Sequence, residues 1–274
     1  MPSLSNMKKS KFGKIMFAMA LGATLFSCSD NALKGVSLDT AKSLLALAKE
    51  NQSNFEVKST KYSFSSTIQE SVMDGWISRV TRVSSLKVAY EAPYLISDEK
   101  TAFKLTYELT VNSFYNEEEN THRRVTVAKE NNVYVVKENE EEHMYAPAND
   151  SFVSNFMNLP SLINSNNIAS LDIAEQFMSS IGKPNSLTSF EALSSGKDDF
   201  VLTFTGDSLS VNNLYDEDPN MPNDVAIESL SLKSTNKRVD SYESKYACQN
   251  KTVQIDGREL PVSGTIKVGF TYEA

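Results

Sequence analysis

Two histidines and two cysteines are the chain's whole stock of side chains that titrate or attack near neutral pH. Hydrolytic and transfer reactions need a general base poised near neutrality, most often a histidine. His122 stands beside Arg123 and Arg124, and His143 follows Glu140, Glu141 and Glu142. Neither belongs to a nucleophile elbow, a phosphate-cradling glycine loop or a His-Glu-x-x-His run, and none of these patterns occurs elsewhere in the chain. Both histidines read as solvated positions at strand ends. No catalytic residue and no cofactor is assigned, and the chain is expected not to be an enzyme.

Oxygen ligands are the next candidates. Asp216, Asp218, Asn220 and Asp224 have the spacing that opens a calcium-binding loop. Met221, however, stands where the sharp turn needs glycine, and Ile227 stands where the closing carboxylate belongs. The segment reads as a solvated acidic loop, and no metal is expected. The acidic runs Glu117–Glu119 and Glu140–Glu142 read as hairpin tips that discourage edge-to-edge pairing of strands. Cys248 falls on the apolar side of an alternating run and reads as a small buried residue rather than a nucleophile.

Cys28 is different. Lys8, Lys9, Lys11 and Lys14, with no acid among them, precede a short apolar run over residues 15–26. A bilayer-spanning helix needs about 20 apolar residues. A basic stretch, a short apolar core and a small residue before a cut site instead make a secretory leader. Leu25, Phe26 and Ser27, followed by Cys28, resemble the bacterial lipobox, with Phe26 departing from the usual small or β-branched choice. The resemblance implies cleavage after Ser27 and a diacylglyceryl thioether on Cys28, and two acyl chains make a stable anchor where one is marginal. The expected organisation is a leader over 1–27, a lipidated N-terminus and polar stalk over 28–37, and one domain over 38–274. The expected location is the cell envelope, on the outer side of the cytoplasmic membrane or on the outer membrane.

Charge narrows the partners. Without the four leader lysines, 23 basic residues face 35 acidic ones, a net charge of −12. Nucleic acid and anionic bilayers both demand clustered basic charge, so neither is an expected partner. If Cys28 is acylated, no disulfide can form within the chain. The remaining 247 residues must then be held by their core, and a chain of that length can build one.

Hydrophobic period supplies the elements that would position any site. Leu38, Ala41, Leu44, Leu45 and Ala48 make a helical stripe, with Asp39 as the candidate N-cap. The period then changes to two. Tyr62, Phe64 and Ile68 share one parity, as do Leu86, Val88 and Tyr90. Phe103, Leu105, Tyr107, Leu109 and Val111 alternate with polar residues, the pattern of a strand with one wet face. Further strands are expected around Val125–Val127, Val133–Val135 and Met144–Tyr145, with a turn at Asn131-Asn132. Two helical pieces, over 150–159 and 168–181, interrupt the strands, and the second stops at Gly182 and Pro184. Strands resume through Phe200, Leu202 and Phe204, then Leu230 and Leu232, then Tyr242, Tyr246 and Cys248. Asp256-Gly257 marks a tight hairpin, and Ile266, Val268, Phe270 and Tyr272 close the chain.

The fold class expected is mainly β (α+β): a curved antiparallel sheet, an open half-barrel of about 11 strands, capped by an N-terminal helix and two mid-chain helices. A lipobox cysteine, an N-terminal helix and a helical insertion between two sets of antiparallel strands resemble the LolA/LppX-like lipoprotein fold. That resemblance implies a half-barrel whose apolar cavity carries acyl chains. The cavity would be lined by Tyr62, Phe64, Phe103, Leu105, Tyr107, Phe200, Phe204 and Phe270, under a lid of Phe152, Phe156, Phe177 and Met178. The same aromatic set also suits a filled core. The alternative is therefore an envelope interaction protein without a ligand.

Overall fold

The computed structural model describes residues 33–54, 61–91, 95–96, 100–101, 104–130, 133–139, 141–146, 151–195, 199–211 and 224–273. Cys28 with Leu25, Phe26 and Ser27, Phe103, the Asn131-Asn132 pair, Glu140, and Asp216, Asp218, Asn220 and Met221 lie outside them. Leu33–Ala274 forms one compact unit. Among the described residues it holds every element and the whole buried core, so residues 33–274 carry the fold.

The elements run β1 (Lys34–Gly35), α1 (Leu38–Ser53), β2 (Lys61–Asp74), β3 (Ile77–Glu91), β4 (Leu95–Ile96), β5 (Lys100–Thr101), β6 (Lys104–Ser113), β7 (Thr121–Glu130), β8 (Val133–Glu138) and β9 (Glu141–Ala146). They continue as α2 (Ser151–Ser180), β10 (Ser189–Ser194), β11 (Phe200–Val211), β12 (Val225–Thr235), β13 (Arg238–Ile255) and β14 (Arg258–Glu273). Twelve strands form one antiparallel sheet in the order β1-β10-β11-β12-β13-β14-β2-β3-β6-β7-β8-β9, and β4 and β5 pair separately. The sheet is an open half-barrel, with β1 and β9 as its two edges.

Turn chemistry sets the hairpins. Asn236 and Lys237 join β12 to β13, and Asp256 and Gly257 join β13 to β14, each pair with both residues at positive φ. Two left-handed residues in a two-residue loop match the twist of the flanking strands. Gly206 serves a different need. At φ +130°, it lies where an added Cβ would strike the backbone of Leu187 and Thr188. The bulge that follows aims Asp207 at that backbone, where its carboxylate accepts from Ser186 Oγ at 2.8 Å and Leu187 N at 2.9 Å. The connection from α2 to β10 is thereby fastened onto β11.

Three sequence expectations change. Residues 33–37 belong to the folded unit rather than to a stalk: Lys34 pairs with Ser194, and Val36 N donates to Ala192 O at 3.0 Å. The N-cap of α1 is Ser37 rather than Asp39, because the Ser37 hydroxyl accepts from Thr40 N at 3.3 Å. The two mid-chain helices are one helix of 30 residues, α2. The polar run around Asn164 looked like a break, but it faces α1. Asn164 exchanges hydrogen bonds with the Gln52 side chain and with Gln52 O. No helix among the described residues is long and apolar enough to cross a membrane.

Both helices lie on the same face of the sheet. α1 buries Ala41, Leu45, Ala48 and Gln52, and packs against β13. Gln52 Oε1 accepts from Val239 N. α2 buries Asn167, Ser170, Leu171, Ala174, Phe177 and Met178, and packs against β11 and β12. The Phe177 ring stacks on Phe204 with centroids 5.5 Å apart and planes at 8°. Phe177→Ala removes a fully buried aromatic from this contact, and such truncations cost about 3–5 kcal/mol. The expected result is a lower urea midpoint at unchanged slope, read by equilibrium unfolding.

Candidate functional site

Residues directly opposite each other on antiparallel strands point to the same face. The register therefore identifies the residues that share the helix-covered face. One row runs Ala192, Leu202, Leu232, Tyr242, Val268, Ser66, Leu86 and Leu109. A second runs Phe190, Phe204, Leu230, Ser244, Ile266, Ile68, Ser84 and Val111, each residue paired with the next. A third runs Phe270, Phe64, Val88, Tyr107 and Val125. Ser66 interrupts the first row, and Ser244 and Ser84 interrupt the second.

Most of the sequence-derived cavity set meets on this face. Phe64, Leu105, Phe200, Phe204 and Phe270 are buried, and Tyr107 is partly buried against the same core. The Phe64 and Phe270 rings lie 5.2 Å apart at 51°. Tyr62 sits in register between Tyr272 and Tyr90, with its side chain outside the described residues. Phe152 and Phe156 fall in the first turns of α2, again with side chains outside the description. Phe177 and Met178 are packed against the sheet.

Packing is not uniform over the face. Under the helices, Phe200, Leu202, Phe204, Leu230 and Leu232 have almost no exposure. On β3 and β6, Leu86, Tyr90, Tyr107 and Leu109 are only half-buried, whereas Val88, Leu105 and Val111 are buried. A separate groove of about 550 Å³ runs between the helices, where Lys42, Leu45, Lys49, Glu50, Glu175 and Met178 line it. Lys49 there reaches Asp172 and Glu175, each at 2.7 Å, and these bonds push its ammonium pKa up to about 12.

One end of the covered face is polar. The row through Ile227 continues to Tyr246, Gly264, Glu70 and Arg82. Glu70 is almost wholly buried, and Lys251 Nζ reaches both its oxygens, at 2.9 and 2.7 Å. Gly264 is required here because a Cβ would collide with the Tyr246 ring. The Tyr246 hydroxyl is buried and has no hydrogen-bond partner among the described residues. Burial first, and then the Glu70 charge, push its pKa upward. Sequence reasoning missed Glu70 because a charged residue on an apolar parity reads as a solvated position. The Lys251 partner comes from the irregular stretch of β13, two strands away, and nothing local in the sequence announces it.

The remaining candidates scatter. His122 is exposed on β7 and lies 3.1 Å from Thr110 Oγ1 through its Nδ1, while His143 lies on β9. Asp224 opens β12 with its carbonyl accepting from Gln249 N, and Ile227 is fully buried. Glu117–Glu119 form an exposed 3-10 turn between β6 and β7. No group of three or more His, Cys, Asp or Glu residues that could hold a metal ion occurs among the described residues.

No family model matches the chain, and no curated protein matches it. Among solved structures, the chain has a slight likeness to a DUF1329 family protein from Desulfovibrio piger. The two are 11% identical, the match covers 84% of this chain and 90% of that one, and the TM-score is 0.18, too low to bear on fold or function.

Cys248 is free and buried, and burial, followed by the Glu70 charge, pushes its thiol up to about 11 from 9.0. A raised folded-state value means the thiol's contribution to stability is complete below about pH 9 and is lost as pH rises toward 11. Tyr246 shifts in the same direction. The unfolding midpoint is expected to fall over that window in urea titrations at stepped pH. In Cys248→Ala the fall should be shallower.

Proposed function

We propose that this chain is an exported bacterial lipoprotein, held to a membrane through a diacylglyceryl group on Cys28, whose half-barrel binds an acyl chain or another apolar ligand. The observation that carries the reading is the unequal packing of one continuous apolar face. The rows through Leu232, Tyr242 and Val268 are shut under the helices. The row they form reaches half-buried Leu86 and Leu109, and the row through Phe270 and Phe64 reaches half-buried Tyr107, while Val88, Leu105 and Val111 beside them are closed. Half-buried apolar and aromatic side chains on a covered face gain free energy when an apolar ligand displaces their remaining water, at about 25 cal/mol per Å². Apolar walls with a few convergent polar groups are the common composition of small-molecule sites. Tyr246, Glu70 and Lys251, at one end of the rows, provide the polar groups.

The tether supports the same reading from a separate direction. A mature net charge of −12 favours no anionic surface, so anchorage would rest on the acyl chains. The lipobox-like run before Cys28 and the strand–helix–strand order of elements are the two features that resemble the LolA/LppX-like lipoprotein fold.

Native mass spectrometry of residues 29–274, purified without detergent and then extracted with organic solvent, tests the binding claim. A bound species of lipid mass is the expected result. A bare protein at its calculated mass, with nothing in the extract, would turn the reading to an interaction protein with a filled core.

A further inference from the structure

The β2–β3 hairpin ends in a cluster of apolar side chains that the core does not use. Its tip is Gly75-Trp76, between Asp74 and Ile77, and Trp76 is 100% exposed. Ile77 is 62% exposed, Met73 53% and Val80 37%. The tip of the β6–β7 connection lies alongside. Phe114 N donates to Thr81 O at 2.9 Å, and the Tyr115 side chain hydrogen-bonds Arg79. Phe114 and Tyr115 are 62% and 45% exposed. Single exposed apolar residues are ordinary, but a contiguous set marks an interaction site.

We infer that these two tips insert into the interface of an electrically neutral lipid bilayer. The reason for lipid is that the β2–β3 tip is apolar on both sides. Met73 and Val80 lie on one face of the ribbon, by the pairing of Met73 with Ser78. Ile77 lies on the other, and Trp76 caps the end. A protein partner that docks on a hairpin covers one face and leaves the other wet. A bilayer surrounds the tip. Trp and Tyr are also the side chains that settle at membrane–water interfaces, where an apolar ring and a polar edge are both satisfied.

Charge selects the kind of bilayer. Arg79 and Arg258 each reach Asp74 at 2.6 Å, and Asp256 adds a second carboxylate close to Arg79. The base of the tip is therefore balanced, and the acidic turn Glu117–Glu119 flanks it. Apolar transfer, rather than attraction to phosphate, then drives binding.

The described start of the domain lies far from the patch. Lys34 pairs near the Val239 end of the sheet, through Ser194, Phe200 and Ser234. The tip lies at the Ile255 end of β13, about 50 Å away at roughly 3.3 Å per residue. In the proposed mature chain, cut after Ser27, residues 28–33 span at most about 20 Å when fully extended and so cannot reach it.

Trp76 is the chain's single tryptophan, so its emission reports on this site alone. Residues 29–274 would be mixed with phosphatidylcholine vesicles while fluorescence and co-flotation are followed. The expected result is a blue shift with co-flotation, nearly unchanged by raised salt. Trp76→Ser with Ile77→Ser should lower co-flotation roughly tenfold or more. Leu187→Ser, which alters a 78% exposed leucine outside the patch, should not change it. Unshifted emission with no co-flotation overturns the inference and leaves a protein partner for the patch. A blue shift that grows with protein concentration in the absence of vesicles also overturns it, in favour of a second copy of the chain. The half-barrel ligand plays no part in either readout, so the two proposals fail separately.

Discussion

The ladder between β14 and β2 is the constraint on which the rest of the fold depends. It joins the last strand of the chain to the first long one, from Val262 opposite Val72 to Glu273 opposite Lys61, without a bulge. Without it, the strands before α2 and the strands after α2 would be two smaller sheets, each with an exposed edge. With it, the inward parity set by Phe64 and Ile68 continues that of Phe270 and Ile266. A slip of one residue would turn every one of these side chains to water. The closing contact is also among the least local in the chain, so nothing near it in sequence can set its register.

A continuous sheet needs a cover, and two helices supply it unequally. α1 and α2 lean on each other through Gln52 and Asn164 and through Lys49 with Asp172 and Glu175. Together they cover β11 to β13, where the core closes completely. Toward β3 and β6, Leu86, Tyr90, Tyr107 and Leu109 keep partial exposure among buried Val88, Leu105 and Val111. The face thus combines a sealed part with one where individual side chains stay accessible. The polar Glu70 and Lys251 pair lies at one end, where Gly264 gives Tyr246 its space.

Much of the fold was legible from sequence. Alternation at Phe103 to Val111 and at Phe200 to Phe204 marked strands, because one wet and one dry face impose a period of two. Asp256-Gly257 marked a turn, because Asp and Gly tolerate positive φ. What remained hidden depended on partners far away in the chain. Asn164 and Asn167 read as a break until α1 stood opposite them. Ser37 and Asp39 are both good N-cap types, and only the hydrogen bond from Thr40 N to the Ser37 hydroxyl tells them apart. Ser66 and Glu70 share the inward parity of Phe64, but their polarity concealed it. Trp76 offered the least signal, since a lone tryptophan reads as core, and only the hairpin geometry puts it at a tip. The motif behind the proposed tether at Cys28 is local, whereas no local motif names a ligand.

Native-state hydrogen exchange on residues 29–274 tests most directly the claim that one sheet, joined through β14 and β2, carries the whole apolar face. The account predicts that the central amides of β2, β3, β13 and β14 exchange slowest and lose protection together as denaturant rises, as one cooperative unit. Opening of β2 to β9 at a denaturant concentration where β10 to β14 stay protected would contradict it. That result would make the two strand sets separate folding units and the shared apolar face an accident of their contact.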